Sequence, residues 1–241
     1  MLSPTFLIKS DVLKIPCFFE KDVYTINSLL LNKIAMHENI CTCEGGCARL
    51  ESKLPNFDLT LYNPVTDDVE RKTMEDLKGK WSVFFFYPAD FTFVCPTELK
   101  DLGNKFEEIQ QMGNVEVFAV SVDSVFSHKS WVQSEELLKN FKFPMISDRT
   151  TTLSRYFGIL NQESGNSERG TFIVSPEGVL KTVEIHTDAV GRSAKELVRK
   201  LYALKYVTEN KGHACPASWE VDMKTMQPSI KKAGHAESAM S

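Results

Sequence analysis

One cysteine stands where a strand, a short loop and a helix are predicted to meet. The run 81–87 is apolar and aromatic, which is typical of a buried strand, and Pro88 follows it. Cys95 then precedes Pro96, a residue that suits the first position of a helix. A helix N-terminus stabilises a thiolate, which is the nucleophilic form of cysteine. The sequence therefore predicts an activated nucleophile at the end of a central strand, and an inert core thiol is the alternative.

The residues around this cysteine resemble the peroxiredoxin family. Pro88, Thr92 and Cys95 match the family's active-site pattern of proline, three residues, threonine, two residues and cysteine. The longer segment 81–99 is similar to the bacterial alkyl hydroperoxide reductase C subfamily. A thioredoxin-type dithiol would need a second cysteine at position 98, where this chain has Glu98. Cys95 therefore needs a redox partner from elsewhere.

Two distant segments extend the resemblance to about residues 54–230. Residues 169–174, RGTFIV, resemble the strand that carries the family's active-site arginine, here Arg169. Residues 212–219, GHACPASW, resemble the segment that carries its resolving cysteine, here Cys215. Three motifs in the family's order imply a typical two-cysteine peroxiredoxin.

The resemblance implies a thiol-dependent peroxidase that reduces hydrogen peroxide and alkyl hydroperoxides to water and alcohols. Cys95 would become a sulfenic acid, and Cys215 of a second copy of the chain would then condense with it to a disulfide. An external dithiol, either thioredoxin or a flavoprotein disulfide reductase, would restore both thiols. The family implies a homodimer that assembles to a decamer, with no cofactor and no metal.

Four other residues have family roles and ordinary alternatives. The Thr92 hydroxyl would bind the thiolate and the peroxide, or it could satisfy local backbone. Pro88 would shield the site, or it could simply end a strand. Arg169 would stabilise the thiolate and the charge that develops on the peroxide, or it could be a surface arginine. Glu98 suits the first helical turn and would act indirectly, by orienting an arginine.

Two other functions stay open at the level of the sequence. The first is a binding role, in which an oligomer acts as a holdase chaperone or as a peroxide-sensing thiol relay. The second is a one-cysteine peroxidase mechanism in which Cys215 takes no part.

The composition indicates which classes of binding partner and which cellular location to expect. The chain has 241 residues, with 42% hydrophobic residues, 25% charged residues and a net charge of −4. These values are typical of a globular protein and give no general attraction to nucleic acid or anionic lipid. Lys9, Asp11 and Lys14 interrupt the N-terminal apolar stretch, and no run is long enough to span a bilayer. We therefore expect a cytoplasmic protein with no nucleic-acid or membrane partner.

Periodicity predicts alternating strands and helices, hence an α/β fold with a central mixed β-sheet flanked by helices, compatible with a thioredoxin-like core. The predicted strands are 57–61, 81–87, 115–122, 145–146, 171–174 and 179–185, and the predicted helices are 74–78, 96–112, 124–138, 150–157 and 193–207. Ser193 and Glu196 form a capping-box pattern. The resemblance implies the thioredoxin-like fold independently.

Residues 1–50 differ from the rest and are predicted to be a poorly ordered extension, with a short helix over Val23–Ala35. The peroxiredoxin domain is predicted over 51–210, and a segment carrying the resolving cysteine over 211–241. The extension also holds a cluster whose spacing matches no common zinc motif, so metal binding, an auxiliary redox role and no function at all remain open. The cluster consists of His37, Cys41, Cys43 and Cys47.

The resemblance also predicts resistance to overoxidation. Sensitive members of the family carry a Gly-Gly-Leu-Gly loop and a C-terminal Tyr-Phe helix, which hold the active-site helix folded. Residues 157–168 contain no such glycine motif, and residues 226–241 contain neither tyrosine nor phenylalanine.

Overall fold

The computed structural model of the chain describes residues 12–16, 23–27 and 47–240. In these ranges the strands are β1 (Val12–Pro16), β2 (Val23–Asn27), β3 (Asp58–Asn63), β4 (Asp68–Thr73), β5 (Trp81–Phe86), β6 (Val115–Ser121), β7 (Met145–Ser147), β8 (Arg169–Val174) and β9 (Leu180–His186). The α-helices are α1 (Cys95–Gly103), α2 (Phe106–Gln111), α3 (Val125–Ser134), α4 (Thr152–Tyr156) and α5 (Ala194–Glu209). Short 3-10 turns cover Met74–Leu77, Glu136–Leu138, Ile230–Lys232 and Ala236–Ala239.

Seven strands form one mixed sheet in the order β4-β3-β7-β6-β5-β8-β9. The strand β5 runs parallel to β6 and antiparallel to β8. All six residues of β5 are buried, because apolar clusters cover both faces of the sheet. Val83 and Phe85 face one cluster, whereas Phe84 and Phe86 face the other. The mixed sheet flanked by helices that the sequence predicts is confirmed.

Local boundaries differ from the predictions where helix propensity is low. The predicted helix 96–112 is two helices, α1 and α2, and the break at Asn104 and Lys105 follows directly on Gly103; Gly103 and Asn104 are both weak helix formers. The predicted helix to residue 138 ends at Ser134, whose hydroxyl donates back to the Ser130 carbonyl. The charged strand β4 was not predicted, because an edge strand rich in charges lacks the apolar alternation of a half-buried strand.

The predicted helix over Val23–Ala35 is wrong at its start. Val23–Asn27 is β2, which pairs antiparallel with β1 in a separate two-stranded sheet. The run Val-Tyr-Thr-Ile contains β-branched and aromatic residues, which favour a strand over a helix. The rest of that predicted helix, the predicted disorder of the remaining extension, and His37, Cys41 and Cys43 lie outside the described residues.

The C-terminal segment follows α5 and lies against it. Ala214 and Met226 exchange two backbone hydrogen bonds of 2.8 Å, which close residues 214–226 into a loop. Ser193 precedes α5 as predicted, but its side chain makes no capping bond. The Asp101 carboxylate instead accepts a hydrogen bond from the Ala194 N–H at 2.8 Å. Within the described ranges, no helix combines the length and the apolar character needed to cross a membrane.

Candidate active site

Cys95 is the first residue of α1, and its side chain is completely buried. The strand β5 ends at Phe86, and a loop of eight residues, 87–94, connects it to the helix. No side chain caps this helix N-terminus, since the N-cap residue Val94 has no polar group to offer. The thiol therefore lies where the unsatisfied amides and the helix dipole favour a negative charge. Pro88 is buried in the same loop.

Arg169 contacts the sulfur directly. Its Nη1 donates to Cys95 Sγ at 3.4 Å. The antiparallel register that pairs Phe86 with Gly170 places Arg169, the first residue of β8, beside the end of β5. Gly170 has no room for a side chain, because a Cβ there would lie 2.7 Å from the Phe172 ring.

The Arg169 guanidinium is fixed by three other hydrogen bonds. Its Nη1 also donates to Glu98 Oε2 at 2.7 Å, while Nε donates to the Asp188 carbonyl at 2.7 Å and Nη2 to Asp188 Oδ1 at 2.9 Å. Burial alone would lower the pKa of Arg169, but the hydrogen bonds and charges of Cys95 and Glu98 outweigh it and raise the pKa. The arginine is thus a permanent cation, held in place against the sulfur.

Glu98 is a buried carboxylate shared by two arginines. Its Oε1 accepts from the Arg192 N–H at 2.7 Å and from Arg192 Nε at 2.9 Å, and its Oε2 accepts from Arg192 Nη2 at 3.0 Å. Burial alone would raise the pKa of Glu98, but these bonds and the two cations outweigh it and lower the pKa. The carboxylate is therefore ionised and anchors the cation that contacts Cys95.

Arg192 is the residue that sequence reasoning missed. Its Nη1 donates to the Gly170 carbonyl at 2.8 Å, and its guanidinium carbon lies 3.6 Å from the centre of the Phe85 ring. Burial lowers its pKa. One signal was present in the sequence: Glu98 lies beside Leu99 on the buried side of α1, and a buried carboxylate requires a cation. Which cation it would be cannot be read from local sequence.

Thr92 makes a different contact from the one that the family pattern implies. Its hydroxyl donates to the Ala89 carbonyl at 2.9 Å, so its proton is directed at the loop backbone. This is the local-backbone geometry that the sequence left open. The oxygen keeps its lone pairs as acceptors.

A buried polar network lies under the loop. The Tyr87 hydroxyl donates to Asp90 Oδ1 at 2.7 Å, and His128 Nδ1 lies 3.0 Å from Asp90 Oδ2. His128 is completely buried on α3. Burial raises the pKa of Tyr87 well above its usual value, so the phenol stays a donor.

The loop also contains Phe91 at φ 56°, a left-handed conformation that is costly for an aromatic residue.

Cys215 is half-buried on the C-terminal segment. Its Sγ donates to the Ala203 carbonyl of α5 at 3.9 Å, and burial raises its pKa, although Arg199 acts in the opposite direction. Trp219 packs on Tyr206, with the ring centres 5.2 Å apart. Neither Cys95 nor Cys215 forms a disulfide within this single chain.

No group of three histidine, cysteine, aspartate or glutamate side chains that could hold a metal ion occurs within the part of the chain that the structure describes. His37, Cys41 and Cys43 lie outside that part, so the three interpretations of their cluster stay open.

Comparisons with known proteins show which family the chain resembles. The model of the AhpC/TSA family matches residues 50–183. The chain is 46% identical over 178 residues to alkyl hydroperoxide reductase C of Staphylococcus aureus, a match that covers 74% of this chain and 94% of the relative.

Solved structures give the same result for the fold. The crystal structure of Enterococcus faecalis AhpC has a TM-score of 0.66 and 44% sequence identity, and the match covers 70% of this chain and 99% of that one. The reduced 2-Cys peroxiredoxin of Plasmodium vivax has a TM-score of 0.71 and 27% identity, covering 76% of this chain and 94% of that one. The predicted thioredoxin-like fold is confirmed.

Proposed function

The chain belongs to the AhpC/TSA family and is a thiol-dependent peroxidase of the peroxiredoxin type, and we propose that Cys95 is its peroxidatic residue. One observation carries the assignment: a buried thiol at an uncapped helix N-terminus accepts a hydrogen bond from Arg169, whose own position Glu98 fixes. A carboxylate that orients a cation against a sulfur atom suits a thiolate better than a neutral core thiol.

The first step consumes the peroxide. The Cys95 thiolate attacks the terminal oxygen of the hydroperoxide, an S–O bond forms, and the O–O bond breaks. Water or an alcohol leaves after the departing oxygen takes a proton, and Cys95 becomes a sulfenic acid. Arg169 stabilises the thiolate before the step and the charge on the departing oxygen during it.

The neighbouring residues bind and position. Pro88 keeps bulk water away from the sulfur, and the Thr92 oxygen accepts a hydrogen bond from the incoming peroxide while its own O–H donates to the Ala89 carbonyl. Glu98 holds Arg169 in place, and Arg192 donates hydrogen bonds to both oxygens of the Glu98 carboxylate. The substrates are hydrogen peroxide and alkyl hydroperoxides, in keeping with the names of the relatives.

The second step uses Cys215 of another copy of the chain. Its thiolate attacks the sulfenic sulfur of Cys95, hydroxide leaves, and an intersubunit disulfide forms. The proposed unit is a homodimer that assembles to a decamer in the cytoplasm. Thioredoxin or a flavoprotein disulfide reductase then reduces the disulfide by thiol exchange. No resident cofactor or metal takes part.

The same proposal divides the chain into an extension over residues 1–50, a catalytic domain over 51–210 and a resolving segment over 211–241. The separate β1–β2 sheet supports the first boundary. The chaperone or thiol-relay alternative is not favoured, because the relatives are named as a reductase and a peroxiredoxin.

Peroxide turnover with a dithiol reductant tests the proposal. Cys95→Ser is expected to abolish turnover with the fold intact, because only a thiolate does the chemistry. Cys215→Ser is expected to consume one equivalent of peroxide and stop. Cys47→Ser is the matched control, expected to retain full turnover. Normal turnover by Cys95→Ser overturns the proposal, and normal turnover by Cys215→Ser overturns the second step.

A further inference from the structure

Two of the contacts that hold the Cys215 segment on α5 are hydrogen bonds to residues of that helix one turn apart. The Cys215 Sγ donates to the Ala203 carbonyl at 3.9 Å, and the Trp219 carbonyl accepts a hydrogen bond from Arg199 Nη1 at 3.2 Å. Arg199 and Ala203 are four residues apart, one turn along the same helix. The sulfur and the arginine therefore lie on the same side of α5.

Arg199 is oriented by its own helix. Its Nε and Nη2 donate to the two oxygens of Glu196 at 2.7 Å and 2.9 Å, a bidentate pair that leaves Nη1 for Trp219. The hydrogen bond to Glu196 raises the pKa of Arg199, with smaller contributions from the charges of Cys215 and Glu220. The guanidinium thus stays charged over the whole range in which a thiol titrates.

The other charged groups near this segment pair mostly with one another. The Lys105 ammonium lies 2.8 Å from Glu108, that of Lys195 lies 3.5 Å from Glu220, and that of Lys200 lies 3.0 Å from Glu184. His213 shares a hydrogen bond of 2.8 Å with the Thr225 hydroxyl. The charged groups around Arg199 are Glu196 and Lys200 of α5, together with Lys105, Glu108, Lys195 and Glu220, which line the same surface cavity as Arg199. His213 lies two residues before Cys215, and Arg199 is the charged group that acts on the Cys215 thiol.

We propose that Arg199 is a positioning residue for the resolving step: it seats the Cys215 segment on α5 and keeps a positive charge beside the sulfur that must become a thiolate. The inference rests on the proposed function, because it assumes that Cys215 attacks the sulfenic acid of Cys95. It concerns the second half-reaction only. Arg169 and Arg192 serve the first.

The chemistry explains why a charge at this place matters. The Cys215 thiolate forms the S–S bond, the S–O bond of Cys95 sulfenic acid breaks, and the leaving hydroxide becomes water with the proton that the Cys215 thiol gave up on ionisation. The two-electron oxidation that the peroxide imposed on Cys95 is then shared by the two sulfur atoms of the disulfide. Burial raises the pKa of Cys215, so the thiol form dominates at neutral pH, and the nearby guanidinium opposes that effect.

The expected effect has a definite size and pH dependence. If loss of Arg199 raises the pKa of Cys215 by one unit, the thiolate fraction below the pKa falls about tenfold. The thiolate that remains is more basic and therefore more nucleophilic. The net loss is about three- to fourfold per unit below the pKa. Above the pKa the loss disappears, so the rising limb of the pH profile moves to higher pH, and its plateau rises about threefold per unit because the more basic thiolate is the better nucleophile.

The test measures disulfide formation separately from peroxide consumption. Wild type, Arg199→Met and Arg199→Lys are each oxidised with one equivalent of peroxide between about pH 6 and about pH 10, a range that brackets an ordinary thiol. Quenched samples give the rates of sulfenic-acid appearance and of the Cys95–Cys215 link by mass spectrometry. Lys195→Met is the matched control, because it removes a cation from the same helix that contacts the same segment at Glu220.

Arg199→Met is expected to oxidise Cys95 at the wild-type rate and to form the link more slowly at pH 7, with the loss recovered at high pH. Arg199→Lys should lie between wild type and Arg199→Met, and Lys195→Met should match wild type. A wild-type profile in Arg199→Met, or an equal loss at every pH, overturns the inference. Failure of wild type to link Cys95 with Cys215 overturns the proposed function instead.

Discussion

Replacing Arg169 by methionine removes the cation that contacts Cys95 Sγ while keeping a side chain of similar length. Two unit charges about 4 Å apart interact by about 4 kcal/mol at the effective dielectric typical of proteins. Arg169 donates a hydrogen bond of 3.4 Å to the sulfur. Its removal therefore destabilises the thiolate before the reaction and the charge that develops on the peroxide during it. Removal of one such donor costs about a hundredfold to a thousandfold in rate.

The same change has a limited effect on folding. Glu98 keeps three hydrogen bonds from Arg192, so its carboxylate does not become a buried unpaired charge. We therefore expect a folded variant that has lost about 1.5–3 kcal/mol of stability, the value of the one charge-assisted hydrogen bond to buried Glu98, because an ion pair with the exposed Asp188 side chain contributes little. Arg169→Lys should recover only part of the rate, because one ammonium cannot reach Cys95, Glu98 and Asp188 together.

Stopped-flow measurement of the second-order rate constant for Cys95 oxidation is the assay, and alkylation by iodoacetamide across pH reports the thiolate fraction. Circular dichroism and a urea midpoint show that the variant is folded. If Arg169→Met is folded and reacts with peroxide and with iodoacetamide as wild type does, the role assigned to Arg169 is refuted.

Three further predictions concern acid, the extension and overoxidation. Because the pKa of Glu98 is lowered in the folded state, its stabilising effect is present above the unfolded value of about 4.3 and is lost as pH falls through the folded pKa, by at most about 1.4 kcal/mol per pH unit. Urea midpoints below pH 5 should therefore fall more steeply for wild type than for Glu98→Gln, and parallel curves would contradict this. Deletion of residues 1–36 should leave the rate of turnover unchanged, since β1 and β2 form a sheet separate from the one that carries the site, and a large loss would show that the extension contributes. Intact-mass analysis during turnover should show little sulfinic acid at Cys95, because residues 157–168 and 226–241 lack the restraining motifs of sensitive relatives, and its accumulation at micromolar peroxide would count against this.

The position of Cys95 at the start of a helix could be predicted because its signal is local. A buried strand, a loop and a cysteine before a helix-starting proline are all short-range patterns, and Cys95 begins α1 accordingly. The mixed sheet followed in the same way from apolar runs such as β5, whose six residues are all buried.

Contacts between distant residues could not be predicted, because they depend on register and packing. Arg192 binds Glu98, which lies 94 positions away in the sequence, and no local pattern around Arg192 predicts this contact. The direction of the Thr92 hydroxyl depends on a loop whose geometry includes Phe91 at φ 56°. The break between α1 and α2 was missed because apolar periodicity continues through Gly103 and Asn104, although helix propensity does not.

The central claim is that Cys95 and Cys215 form one redox pair between two chains. Peptide mapping by mass spectrometry after one equivalent of peroxide, with non-reducing electrophoresis of the same sample, tests it most directly. We expect a covalent dimer whose linked peptides contain Cys95 and Cys215, and no such dimer in Cys215→Ser. A monomer that carries Cys95 as a stable sulfenic acid, or a link that excludes Cys215, would contradict it.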